Sequence, residues 1–199
     1  MRFRIFAGLV CALIIAWSVA AQAGDKRPGL LDFEKGHFAA ALNKWLPFAK
    51  AGEPEFQVLV GDMYRRGLGV NKDLFRALEW HEKAAAQGDA DGIYHAAQFH
   101  LHGQGGVTKN PAKALLMLQQ AADLGHWRAQ YGVSRAFAKG ELVAQDYVKA
   151  LMWLEISILS SKGEFGRKVF YRRRGLAKHM TDDEVELGKK LAADWLAKH

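Results

Sequence analysis

Four of the eight histidines in this 199-residue chain stand where they could hold a metal or move a proton. His81-Glu82 opens like the zinc-protease motif, in which two histidines one helical turn apart bind the ion. Position 85 is alanine, so the second ligand is missing. His95 and His102, seven residues apart, share one helix face, whereas His100 falls elsewhere and is expected in the core. One such pair without a carboxylate beside it makes a poor site, so no metal and no cofactor is expected. Gly67-x-Gly69 and Gly103-x-Gly105-Gly106 could cradle a phosphate. Neither ends in Gly-Lys-Ser/Thr or follows a strand. No serine triad or pair of carboxylates assembles from spacing. The residues therefore point away from catalysis, and no catalytic residue is assigned.

The N-terminus decides which residues the working chain retains. Arg2 and Arg4 precede an apolar run from Ile5 to Ala20, and Ala21-Gln22-Ala23 then gives a small-x-small triplet before Gly24-Asp25-Lys26. That order predicts a signal peptide over 1–23, cut after Ala23. The alternative is a retained anchor, since the run approaches the ~20 residues that span a bilayer. Cleavage would take the net charge from +7 to +5 and remove Cys11, the only cysteine. The remaining chain would hold no thiol ligand, nucleophile or disulfide and no second membrane span. It is expected in the periplasm or secreted, held together by its core alone.

Such a core has to come from the elements that carry these residues, and the elements repeat. Gly52, Gly88 and Gly125 are 36 and 37 residues apart, and eleven residues before each stands Ala41, Ala77 or Ala114, a series that Ala150 continues. Gly67, Gly103 and Gly140 form a second ladder of the same spacing. Three residues before them lie Tyr64, His100 and Phe137, and six before lie the small residues Gly61, Ala97 and Ser134. The small residue permits a close helix contact, and the ladder glycine supplies the positive φ that ends a helix. Apolar residues at three- and four-residue spacing, such as Ala77, Leu78, Ala84 and Ala85, then predict a second helix. Neither helix can bury its face alone, so the units must stack.

Gly61-x-x-Tyr64-x-x-Gly67-x-Gly69-Val70, followed by Arg76-Ala77-x-x-Trp80-x-x-Lys83-Ala84-Ala85-x-Gln87-Gly88, resembles the Sel-one-like repeat, a relative of the tetratricopeptide repeat. A second copy runs from Ala97 to Gly125. A third begins at Ala129 and departs from the pattern after Trp153, where Ile156-Ser157-Ile158-Leu159 replaces the alanine pair. The resemblance implies an all-α, right-handed solenoid of tandem antiparallel helix pairs. Its parts would be a half-repeat over 24–52, repeats over 53–88, 89–125 and 126–162, and capping helices over 163–199. In the last part, Thr181-Asp182-Asp183-Glu184 reads as a capping box, and Leu187, Leu191, Trp195 and Leu196 are expected to form one apolar side.

The resemblance also implies that the first helix of each unit lines a concave groove. Its inward positions would be Asp62, Arg65 and Arg66 in the first copy, Tyr94, Gln98, Leu101 and His102 in the second, and Tyr131, Arg135, Ala138 and Lys139 in the third. Val58 is the first copy's counterpart of the two tyrosines. Tyrosine and arginine are frequent interface anchors. The expected role is a non-catalytic protein–protein interaction module whose partner is a peptide or protein, extended and acidic or held by its C-terminal carboxylate. A second basic cluster, Arg172-Arg173-Arg174 with Arg167, Lys168 and Lys178 nearby, gives an alternative: peripheral contact with anionic envelope polymer or lipid. Export argues against nucleic acid as partner.

Overall fold

The computed structural model describes residues 28–161 and 164–199, apart from the side chains of 164–168, 170 and 171; the expected signal segment lies outside this range. Ten helices and no strand occur among the described residues. They are α1 (Leu30–Glu34), α2 (Phe38–Ala51), α3 (Pro54–Arg66), α4 (Leu74–Ala85), α5 (Ala90–His102), α6 (Pro111–Asp123), α7 (Trp127–Lys139), α8 (Tyr147–Ser160), α9 (Glu164–Ala177) and α10 (Asp182–Leu196). Consecutive helices pack on one another through α9, α3 also touches α5, and α10 packs against α8. The result is an α-solenoid in which α3–α4, α5–α6 and α7–α8 are the successive pairs. Among the described residues no helix is long and apolar enough to cross a membrane.

Helix ends are specified by the same few residue types in each pair. The first helices stop at Gly67, Gly103 and Gly140, with φ of 70°, 68° and 69°. The second helices start on Asp73, Asn110 and Asp146, whose side chains accept the N–H of Arg76, Lys113 and Lys149. Each such cap stabilises a helix by ~1 kcal/mol. The turn is closed by one further recurring bond. The N–H groups of Asp73, Asn110 and Asp146 donate to the carbonyls of Tyr64, His100 and Phe137 at 3.0, 2.7 and 3.0 Å. The middle glycines of the turns do more than lengthen them. A Cβ at Gly69 would lie 2.4 Å from Ala39 N, and one at Gly105 would lie 2.7 Å from Leu74 O, so each turn presses on the preceding unit.

Inside each pair the small landmark meets the partner helix. Gly61, Ala97 and Ser134 are all buried, as are Ala77, Ala114 and Ala150 opposite them. Ser134 Oγ donates to Ala150 O at 2.6 Å, which measures how close the two backbones come. His100 is buried, as its place in the pattern requires. Between units, buried Gln57 and Gln130 donate to the carbonyls of Ala49 and Ala122 on the preceding second helix.

The C-terminal helices close the array. Ile156 and Trp153 of α8 are buried, and Trp153 meets Trp195 of α10 edge-on at 5.7 Å. The Thr181–Glu184 capping box is formed. The apolar side of α10 keeps the expected Trp195 and Leu196 against the core but departs from expectation nearer its start. Leu187 is largely exposed, and Gly188 and Ala192 are the buried residues. A Cβ at Gly188 would lie 3.1–3.2 Å from Leu151 and the Val148 carbonyl, so α10 rides too close to α8 for a leucine seam.

The landmark glycine of the first pair is fitted to one ring. A Cβ at Gly61 would stand 2.8–2.9 Å from three atoms of the His81 imidazole. Gly61→Ala should therefore destabilise the protein by ~1–3 kcal/mol, the usual cost of overpacking, and Gly61→Leu by more. Adding His81→Leu to Gly61→Ala reproduces the Ala97/Leu118 combination of the second pair and should recover most of the loss. Urea unfolding of the three variants checks this, and equal stability of Gly61→Ala and wild type would contradict the packing.

Candidate functional site

The face made by α3, α5 and α7 carries three neighbouring cavities. The first, about 540 Å3, is lined by Asp62, Arg65 and Arg66 of α3 and by Tyr94, His95, Gln98 and His102 of α5. The second, about 620 Å3, shares Tyr94 and Gln98 with it and adds Tyr131, Arg135 and Lys139 of α7. Of the inward positions named from the sequence, Asp62, Arg65, Arg66, Tyr94, Gln98, Leu101, His102, Tyr131, Arg135 and Lys139 line one or both, Ala138 borders only the third, and Val58 borders none of the three. Arg128 borders the first two as well, stacked over the Trp127 ring at 4.3 Å. Sequence reasoning missed Arg128, although it stands one turn before Tyr131 on the same helix face.

Packing fixes the two tyrosines. Tyr94 stacks on His126, with ring centroids 4.2 Å apart, and burial raises the pKa of its phenol. His126 is the N-cap of α7. Its Nδ1 accepts from Ala129 N at 3.1 Å, which leaves Nε2–H to donate to Asp91 at 3.0 Å. That bond holds the Asp91 carboxyl below the ordinary carboxylate range. Tyr131 lies within 6.0 Å of the Arg135 guanidinium and 5.3 Å of that of Arg172. Cation–π contacts of this kind contribute ~0.5–1 kcal/mol at exposed sites and keep the arginine heads aligned over the ring.

Arg172 reaches this face through the third cavity, about 320 Å3, which also includes Tyr131 and Arg135. The three consecutive arginines therefore separate. Arg172 joins the groove, Arg173 Nε pairs with Glu155 at 2.8 Å, and Arg174 is exposed. The side chains of Arg167 and Lys168 lie outside those described.

Asp62 and His95, which line the first cavity, meet a residue that spacing alone kept apart from them. His81 of α4 is fully buried and stacks on His95 of α5, centroids 4.6 Å apart. Asp62 Oδ1 stands 3.8 Å from His81 Nε2 and 3.9 Å from His95 Nε2, and Arg65 binds the same carboxylate at 2.9 Å. Among the described residues, neither ring nitrogen of His81 has a hydrogen-bond partner. His95 pairs in space with His81 and Asp62, although it shares its cavity with His102. A signal for His81 exists in the repeat: the second and third copies have Leu118 and Leu154 at that position.

Burial, together with the nearby His95 and Arg65, pushes the His81 pKa from 6.5 down to about 2, and burial lowers that of His95 as well. The folded protein therefore keeps these rings neutral where the unfolded chain binds protons. Stability is intact above the unfolded value and is lost as pH falls below ~6.5, by about 1.4 kcal/mol per pH unit for each such proton. His81→Leu should flatten that slope. Parallel stability profiles of variant and wild type between pH 7 and 5, from denaturant titrations, would contradict it.

Comparison with known proteins agrees with this architecture. The Sel1 repeat family model matches residues 54–89, 90–126 and 127–160, more than half of the chain. The Sel1-repeat-containing protein YjcO of Escherichia coli (strain K12) is 25% identical over 73% of this chain and 56% of its own length. The ERAD-associated E3 ubiquitin-protein ligase component HRD3A of Arabidopsis thaliana is 31% identical over 36% of this chain and 11% of its own. Alginate biosynthesis protein AlgK of Pseudomonas syringae pv. tomato is 28% identical over 60% and 26%. The chain thus spans little more than half of YjcO and a minor part of the other two. Among solved structures, a Sel1 repeat protein from Oxalobacter formigenes superposes with a TM-score of 0.64 at 23% identity, covering 73% of this chain and 58% of that one. The uropathogenic Escherichia coli antigen c5321 gives 0.59 at 21%, covering 89% and 47%. With its three matched units and this helix-pair architecture, the chain belongs to the Sel1 repeat family.

Proposed function

We propose that this chain is a non-catalytic interaction module that binds an extended acidic peptide, or a protein's C-terminal carboxylate, along the face of α3, α5 and α7. Sel1 repeats are generally protein-interaction modules, which supports the class of function. The single observation that carries the specific reading is the composition of the three adjoining cavities. They share residues end to end, and basic groups from three helices and α9, namely Arg65, Arg128, Arg135, Lys139 and Arg172, outnumber the carboxylates of Asp62 and Glu141, which pair with Arg65 and Lys139. Tyr94, stacked on His126, and Tyr131, flanked by the Arg135 and Arg172 guanidiniums, stand between these charges. Pre-ordered aromatic and arginine side chains lose little entropy on binding, and hence suit an interface.

Export after cleavage near Ala23 is part of this proposal, with an envelope or extracellular protein as the partner. The other reading, anionic polymer or lipid bound through Arg172-Arg173-Arg174, has less support, because Arg173 is engaged with Glu155 and Arg172 faces Tyr131.

Fluorescence anisotropy with a labelled acidic decapeptide bearing a free C-terminus tests the reading. Binding should weaken as salt rises, because the contacts are charged and partly exposed. Arg65→Glu combined with Arg135→Glu should lower affinity at least tenfold, about 1.4 kcal/mol. Equal binding of an acidic and a basic peptide, or no effect of the double change, would defeat it. Retention on anionic vesicles, lost on Arg174→Ser, would instead favour the polymer or lipid reading.

A further inference from the structure

Asp62 and His95 line the first cavity of the proposed peptide face, but His81 lies behind it, and the peptide reading gives the three together no role. Their donor atoms nevertheless lie within 4.8 Å of one another. They come from three successive helices, α3, α4 and α5, so the array itself brings them together. His81 has no solvent exposure, and both of its nitrogens lack a hydrogen-bond partner among the described residues. Polar atoms in that condition are rare in folded proteins and call for an explanation. Packing does not supply one. Leucine fills the equivalent place in the other two pairs, where Leu118 and Leu154 are buried. The first pair instead carries an imidazole and, opposite it, the glycine that makes room for the ring. The Asp62 side chain is about a third exposed and that of His95 about a fifth, and both border the 540 Å3 cavity, which gives access from solvent.

We propose that Asp62, His81 and His95 bind one divalent transition-metal ion of the zinc class, with an open coordination position facing the cavity. Two imidazole nitrogens and one carboxylate oxygen suit Zn2+, Co2+, Ni2+ or Cu2+, and do not suit Mg2+ or Ca2+, which take oxygen ligands. Three protein ligands and a vacant fourth place are the arrangement of accessible zinc sites. Ligand bonds of ~2.0–2.1 Å in tetrahedral geometry set donors ~3.3 Å apart. Closing the observed 3.8 and 3.9 Å to that spacing moves the Asp62 carboxylate by about half an ångström, and the two imidazoles, stacked with centroids 4.6 Å apart, must also turn so that their in-plane lone pairs converge. Arg65 donates to Asp62 Oδ1 at 2.9 Å, so it orients the carboxylate while sharing the oxygen that faces the two rings. Burial already keeps both rings in the neutral form that carries the lone pair.

Titration of the untagged protein with Co2+, followed by visible absorption and by displacement with Zn2+, tests the proposal. One Co2+ per chain should bind, giving the intense bands of a low-coordinate nitrogen–oxygen site that Zn2+ abolishes. His81→Leu, His95→Asn and Asp62→Asn should each weaken binding at least tenfold, and His102→Gln, on the same cavity wall, less than twofold. Melting curves in EDTA establish that the variants fold. Zn2+ should raise the melting temperature of the wild type and leave that of His81→Leu unchanged. Absence of a stoichiometric Co2+ spectrum, or undiminished binding in the folded variants, would overturn the proposal. The peptide-binding reading stands or falls separately, since its assay needs no metal.

Discussion

Everything in this molecule depends on the close crossing of two short helices at a small residue. Gly61, Ala97 and Ser134 let the first helix of each pair approach the second until side chain meets backbone, 2.6 Å in the case of Ser134 Oγ and Ala150 O. A helix of about 13 residues is marginal in water without such packing. Pairing buries one stripe of each helix and leaves a second stripe, which the next pair must cover. The turn glycines enforce that stacking, because Gly69 and Gly105 press on the unit before them without a side chain in between. Stability is therefore shared between neighbours, and α9 and α10 are needed to cover α8.

The same constraint sets what the solenoid offers to a partner. With the second helices committed to stacking, one face of α3, α5 and α7 stays open, and its side chains recur at the repeat spacing. Charge and rings are thereby displayed in a row. Asp62 and Arg65 stand in the first pair, Tyr94 and Gln98 in the second, Tyr131 and Arg135 in the third. The first pair adds a histidine where its sisters have leucine, and the place gains chemistry that the fold does not require.

Much of this was legible in the sequence because glycine and alanine ladders are local signals with a fixed period. The helix pairs, the glycine stops and the buried His100 follow from them, whereas the groove positions come from the resemblance to the Sel-one-like repeat. Other features depend on contacts that spacing cannot display. Arg172, Arg173 and Arg174 look like one patch, yet consecutive residues on a helix point in different directions, and only Arg172 reaches Tyr131. Leu187 appears to continue an apolar stripe, but the tight approach of α10 to α8 selects Gly188 and Ala192 instead. His81 failed as half of a sequence motif because its companions, Asp62 and His95, come from neighbouring helices. The recurring caps Asp73, Asn110 and Asp146 were within reach, since they share the 36- and 37-residue spacing.

The central claim is that the face of the first helices is the working surface. The most direct measurement is the set of backbone amide shifts of the isotope-labelled protein as an acidic peptide with a free carboxylate is added. The account predicts that shifts concentrate on α3, α5 and α7, strongest around Arg65, Tyr94 and Arg135, and leave the exposed sides of α4, α6 and α10 unmoved. Shifts confined to those outer helices, or to the region of Arg174, would contradict it.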